Sequence, residues 1–491
     1  MTWTREKRYQ PYSAYSEIIK QSLEKKVATS IYKPGFHISP ASGLLNDPNG
    51  FSYYNGQWHV FYQAFPFGAV HGLKSWVHCI SDDLVHWHNL GIALQPGGQF
   101  DSHGAYSGSA QVIDDQLFLM YTGNVRDNDW HRSSFQLGAW MNKHNEITKI
   151  NAPLITAPKH VTDHFRDPQL LKINGTYYAL IGAQDKQSLR GEFSLYRSDN
   201  LKDWQDMGYV QHELGDLGYM IECPNLVYVN DKVVLIFCPQ GISKDNLQVA
   251  NIYPNVYAIG SELDLETGKW QAEQQTIVQL DDGFDVYASQ AFNAPDGNAY
   301  LISWVGLPEI EYPTDQENWA HCLSLVKQLK VVNNQLYQLP VPAMSTLADA
   351  EEILSENQQQ LVADAGQQYE LKLNLAANQT GNLLLVSDGT TAHSLQLKFD
   401  TNDEGYLIVD RSNVGEKFAT SYGETRQILL NTHQALTLDI FIDHSICEIF
   451  INGGEKVMTL RFFAPQQQTM IAFAGQNTIK YSGSYLSLSN M

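Results

Sequence analysis

Asn55-Gly56-Gln57-Trp58-His59-Val60-Phe61-Tyr62-Gln63 sets the reading of the whole chain. An Asn-Gly pair ahead of alternating aromatic and β-branched residues marks a tight turn feeding a strand, because Asn, Asp and Gly take the positive φ such turns need. The unit returns four times: Asp114-Asp115 before QLFLMYT, Asn174-Gly175 before TYYALIG, Asn230-Asp231 before KVVLIFC and Asp296-Gly297 before NAYLISW. The second turn residues are spaced by about 59, 60, 56 and 66 residues, each room enough for a four-stranded antiparallel sheet and its loops. A further echo, two repeats apart, matches Ser81-Asp82-Asp83-Leu84-Val85-His86-Trp87 with Ser198-Asp199-Asn200-Leu201-Lys202-Asp203-Trp204. An ordinary run of hairpins would not keep this spacing. Five sheets set radially around a channel make a five-bladed β-propeller.

Working outward, residues 31–342 hold the propeller and residues 343–360 a polar, partly helical connector. Residues 361–491 resume strand-like segments such as YELKLNL, HSLQLKF and LTLDIFID, whose alternation of apolar and polar residues predicts a β-sandwich. Residues 1–30 read as a helical extension, with Tyr15, Ile18, Ile19 and Leu23 on one stripe packing on the propeller. The fold class is therefore all-β with a short helical start.

The 491 residues contain 32 Lys and Arg against 53 Asp and Glu, a net charge of -21, which repels phosphate backbones and anionic lipid. Nucleic acid and membrane partners are excluded on that ground, and nothing in the chain signals an oligomeric state. Five cysteines without C-x-x-C spacing read as reduced thiols. The polar N-terminus has no apolar signal segment and no later stretch has membrane-spanning length, which points to the cytoplasm.

In a propeller the innermost strand precedes the first hairpin turn, so residues eight or nine positions ahead of each turn should face the channel. Counting back gives Asp47, Ser107, Asp167, Glu222, and Ala288 or Ser289. Three carboxylates thus converge from three blades. Isolated aspartates mostly cap turns, but three sharing one narrow channel repel one another and raise a pKa, a cost that calls for a chemistry using them. Metal binding is the weaker use, because no D-x-D-x-D-G calcium loop is present; no metal and no cofactor are expected. Glycoside hydrolysis is the stronger: one carboxylate attacks the anomeric carbon while a carboxylic acid protonates the leaving oxygen. Trp58, Gln63, Phe65, Trp76 and Trp304 would supply the apolar walls and hydrogen-bond groups of a sugar pocket.

These residues resemble glycoside hydrolase family 32, the invertase and fructanase family. The likeness rests on Leu45-Asn46-Asp47-Pro48-Asn49-Gly50-Phe51, Arg166-Asp167-Pro168 and Glu222-Cys223-Pro224, in that order, with Asp443-His444-Ser445 and Glu448-Ile449-Phe450-Ile451-Asn452-Gly453 in the C-terminal part. It implies a retaining double displacement with Asp47 as nucleophile, Glu222 as acid/base and Asp167 as stabiliser of the oxocarbenium charge. Asn46, Gln63, Trp76, Ser107, Arg166, Asp285 and Trp304 fall on positions like the family's fructose-binding shell. Two departures, Leu44-Leu45 where the family often has Trp-Met and Trp76-Val77-His78 where it has Trp-Gly-His, touch no reacting group.

A cytoplasmic member receives an imported small-molecule sugar. The segment Trp304-Val305-Gly306-Leu307-Pro308-Glu309-Ile310-Glu311-Tyr312-Pro313 and the N-terminal extension look like the family's bacterial enzymes for sucrose 6-phosphate, with a fructan β-fructosidase as the alternative and a non-catalytic fructan-binding propeller as the rival from another class. Phosphate recognition needs a local cation patch. The basic loop before Trp76 nominates His71 and Lys74, with Arg126 as a third candidate.

Overall fold

In the computed structural model of the protein, the described residues are 3–489 apart from 244, 246, 248, 249, 274, 275, 357, 476 and 477. Five antiparallel sheets, blades I to V, have as inner strands Gly43–Tyr54, Ala105–Ile113, Val161–Ile173, Met220–Val229 and Val286–Asn293. Each repeated turn pair joins an inner strand to its second strand, and Asn55, Asp114, Asn174 and Asn230 all have positive φ.

Every inner strand carries a β-bulge near its start, where two residues oppose one on the second strand: Asn46 and Asp47, Tyr106 and Ser107, Asp167 and Pro168, Cys223 and Pro224, Ala288 and Ser289. The bulge explains how Pro168 and Pro224 are accommodated in paired inner strands, since the extra residue makes no ladder bond. It also turns Asp167, Cys223 and Ala288 into the left-handed region, at φ 64°, 47° and 46°.

Just past the bulges, side chains tie each blade to the next. Asn49 Oδ1 accepts from the Gly108 N–H at 2.9 Å, Ser109 Oγ from Leu170 at 2.8 Å, Gln169 Oε1 from Leu226 at 2.6 Å, Asn225 Oδ1 from Ala291 at 3.2 Å and Gln290 Oε1 from Phe51 at 2.7 Å. This belt satisfies buried polar groups while closing the ring. Trp319–Ala320, arriving from blade V, pairs in parallel with Gly43 and Leu44 and seals the seam.

The C-terminal part is a sandwich of two six-stranded sheets around a core that includes Leu371, Leu385, Leu397, Val409, Ile440 and Ile449. The expected helical connector is different in form: a 3-10 turn, Pro342–Leu347, leads into an edge strand, Ala348–Ile353, paired with Tyr481–Leu488. Its acidic, exposed residues suit an edge that must not recruit another strand.

The N-terminal helix also departs from expectation. Glu17–Ala28 is helical, but Ile18 and Ile19 are 79% and 47% exposed and Val27 is its buried residue. Of the expected stripe Tyr15 does dock, stacked on Phe67, and it is joined by Tyr12, whose hydroxyl donates to the Leu73 carbonyl at 2.7 Å.

Ion pairs weld sandwich to propeller. Asp443 accepts from the backbone of Gly35, Phe36 and His37, and the His37 ring lies between Asp443 (2.8 Å) and Glu448 (3.2 Å). Lys327 meets Glu448 at 2.9 Å.

Candidate active site

The bulges aim the carboxylates. Asp47 is the second bulge residue of blade I, Asp167 the first of blade III, and Glu222 directly precedes the bulge of blade IV. The three are therefore staggered around the channel, not register-equivalent as counting from the turns implies. Blade I has a second bulge between Asn49 and Ser52 that lengthens its path to the turn. In register, Glu222 matches Arg166 and Tyr287.

Asp47 is held at both oxygens. Its Oδ1 accepts from Asn46 Nδ2 at 3.0 Å, and its Oδ2 from Ser107 Oγ and from Gln63 Nε2 at 3.3 Å. Glu222 accepts from Arg166 Nε and Nη2 at 2.9 and 2.7 Å on one oxygen, and from Tyr287 Oη and Gln240 Nε2 at 2.6 and 2.7 Å on the other. Asp167 Oδ2 accepts from the Cys223 N–H at 3.1 Å. The Cys223 thiol lies 3.9 Å from Asp47 and 3.7 Å from Asp167, so the residue after Glu222 touches both aspartates. Asp47, Asp167, Glu222, Asn46, Gln63, Ser107 and Arg166 thus form one connected cluster.

Its electrostatics are divided. Burial pushes the Asp47 carboxyl up, against hydrogen bonds from Ser107 and Asn46. Burial and the charges of Glu222 and Asp47 push Asp167 up to about 7, although Arg166 opposes them. At Glu222 burial acts upward too, yet the Arg166 guanidinium and the Tyr287 hydroxyl outweigh it and hold the carboxyl below its ordinary range. The proton therefore favours Asp167 over Glu222, which is ionised.

Other expected residues stand elsewhere. Trp76, the register partner of Gln63, is fully buried between Phe61 and Tyr121, its indole N–H donating to the Tyr106 carbonyl at 3.0 Å, where it supports the inner strand of blade II. Trp58 pairs with Tyr53 near the opposite end of blade I, and Phe65 packs under Trp3 and Phe67. Asp285 is fully buried, and its Oδ2 accepts from Arg411 Nη1 at 3.2 Å and the Arg461 N–H at 3.3 Å, at the contact with the sandwich. Trp304 is 2% exposed, near Tyr287, His71 and His321 at the edge of the site.

The phosphate candidates separate as well. Lys74 is 3% exposed and donates to Asn46 Oδ1; burial pushes its ammonium down to about 7 against the pull of Asp47. Burial, with Lys74 close by, drives His71 well below the usual histidine range, so it is neutral. Neither is a free cation for an anion. Arg126 stands at the top of blade II, at the end of Gln116–Arg126. Sequence reasoning missed Tyr287 and Gln240 as partners of Glu222; aligning inner strands on the bulge, which the Pro168 and Pro224 positions hint at, would have found Tyr287.

Residues 37–340 match the glycosyl hydrolases family 32 N-terminal domain and residues 343–487 its C-terminal domain. A sucrose-6-phosphate hydrolase of Pediococcus pentosaceus is 47% identical over 97% of this chain and 95% of its own. One from Streptococcus mutans is 44% identical over 98% of both. Among solved structures, sucrose-6-phosphate hydrolase from Lactobacillus gasseri superposes with a TM-score of 0.98 at 51% identity over the full length of both chains, and a Bombyx mori β-fructofuranosidase with 0.85 at 29% identity over 98% and 99%. With the propeller, the sandwich and the carboxylate cluster all in place, the chain belongs to glycoside hydrolase family 32.

Proposed function

We propose that this protein hydrolyses sucrose 6-phosphate, and sucrose less well, by a retaining double displacement. The observation that carries the reading is the cluster itself: Asp47 held at both oxygens, Asp167 beside it, and Glu222 joined to both through the adjoining Cys223. Asp47 attacks the fructosyl anomeric carbon, forming an ester as the glycosidic bond breaks. Glu222 gives its proton to the departing glucose oxygen, then takes one from the water that cleaves the ester. Ser107, Gln63 and Asn46 keep Asp47 aimed and charged.

The acid step needs the proton on Glu222, whereas the electrostatics of the cluster favour it on Asp167. Sugar hydroxyls donating to Asp167 favour its ionised form; Asp167 then competes for Arg166, and Glu222, partly released, takes the proton. The substrate thereby arms its own acid. The named relatives support the phosphorylated disaccharide, and the five cysteines, none in a disulfide, suit the cytoplasm.

Product analysis with sucrose 6-phosphate, sucrose and inulin side by side tests the substrate, and NMR of the first-formed fructose tests the stereochemistry. Efficient inulin cleavage with no preference for the phosphorylated disaccharide would discard the first claim; inverted fructose would discard the second.

A further inference from the structure

Blade II ends its second strand on Arg126 and begins its third on Arg132, and these two are register partners across the hairpin. Like charges placed directly opposite are destabilising in a sheet. The pair lies beyond Gly123 and Phe135, past the level of Ala105, so it rises over the Tyr106–Ser107 bulge toward the mouth of the funnel. Arg132 Nη2 is 3.2 Å from His164 Nδ1, and Arg166, which grips Glu222, reaches the same nitrogen at 3.1 Å. The cations therefore stand on the side of Glu222, where a leaving sugar must be.

Little negative charge balances them. Arg132 Nε lies 3.3 Å from Asp163, a carboxylate 49% exposed. Asp127, in the hairpin, is turned onto His131. Arg126 donates to the Trp130 carbonyl at 3.1 Å, while its Nε is buried with no partner. Burial and the nearness of Arg166 hold the Arg132 guanidinium below its usual range. Arg5, from the N-terminal helical turn, sets its guanidinium 4.7 Å from the centre of the Trp130 ring, with Tyr9 and His103 against the same indole. In a chain of net charge -21 this is a concentration of cation with one half-exposed carboxylate, Asp163, beside it.

We infer that Arg126 and Arg132, with Arg5 brought over Trp130 by the N-terminal extension, form the subsite for a phosphomonoester dianion on the leaving sugar. The inference rests on the proposed substrate. Planar guanidinium forks match phosphate oxygens in pairs, and a dianion there offsets the repulsion between the paired Arg126 and Arg132. Lys74 is excluded because it lies beside Asn46, on the fructose side.

The test is kcat/KM on sucrose 6-phosphate and on sucrose for wild type, Arg126→Gln, Arg132→Gln and Arg5→Gln, with glucose 6-phosphate and glucose as competing products. Any loss common to both substrates, expected for Arg132 because its field reaches Glu222, cancels in the ratio. The ratio should fall at least about tenfold in each of the Arg126 and Arg132 variants, severalfold for Arg5, and glucose 6-phosphate inhibition should weaken in parallel while glucose inhibition holds. A wild type that prefers the phosphorylated substrate, with variants that keep the preference, overturns the subsite alone. A wild type with no preference overturns the subsite and the substrate together.

Discussion

Replacing Asp167 with asparagine should stabilise the fold while removing activity, and the gain should depend on pH in a defined way. In the folded protein this carboxyl is buried and pushed from an ordinary 3.8 to about 7. At 1.36 kcal/mol for each pH unit, ionising it inside the funnel costs about 4 kcal/mol more than in the unfolded chain. Between about pH 4 and 7 the folded form keeps a proton that the unfolded form releases. Stability at this site is thus undiminished below pH 4, falls as pH rises to 7 and levels off above. The amide of the variant has nothing to titrate. Its advantage over wild type should grow by about 3 kcal/mol between pH 4.5 and pH 8, roughly 3–5 °C in Tm for a protein this large. Calorimetric scans of both proteins across that range provide the comparison. An advantage that stays flat or shrinks with rising pH would refute the proton assignment on which the arming of Glu222 depends. Stability given up at a working site is the general pattern being tested.

Glu222→Gln should lower kcat by a factor on the order of 10² or more with KM for sucrose little changed, read by initial rates. Lys74→Met should cost about tenfold in kcat/KM on sucrose and its 6-phosphate alike, because it unseats Asn46; a selective loss on the phosphorylated substrate would move the phosphate to Lys74. His37→Gln should destabilise the protein by about 3–5 kcal/mol in denaturant titrations, since it strips a cation from between two buried carboxylates. Those carboxylates raise the His37 pKa against the effect of burial, so its contribution is full below about pH 6.5 and is lost as pH rises through the higher folded value; the wild type should weaken on that limb and the variant should not.

The propeller was legible because its turns are dictated locally: Asn55-Gly56 and Asn174-Gly175 need positive φ, and that need is written in residue type. The carboxylate cluster was legible because three blades deliver it from similar places. What escaped was register. A bulge is a two-against-one count that depends on the neighbouring strand, so the stagger of Asp47, Asp167 and Glu222 could not be read from spacing alone. Partners distant in sequence escaped for the same reason: nothing near Asp285 announces Arg411, and nothing near Lys74 says that its amine turns inward to Asn46. The helix stripe misled because Ile18 and Ile19 share a face whichever way that face looks.

The lock between His37 and Asp443 also bears on how the enzyme is born. Asp47 is made roughly four hundred residues ahead of Asp443 and Glu448, yet the segment leading into its strand is fastened by those two carboxylates. A nascent chain on the ribosome therefore carries Asp47 without a finished grip on it, and a prematurely terminated product has all three acids and no assembled machine.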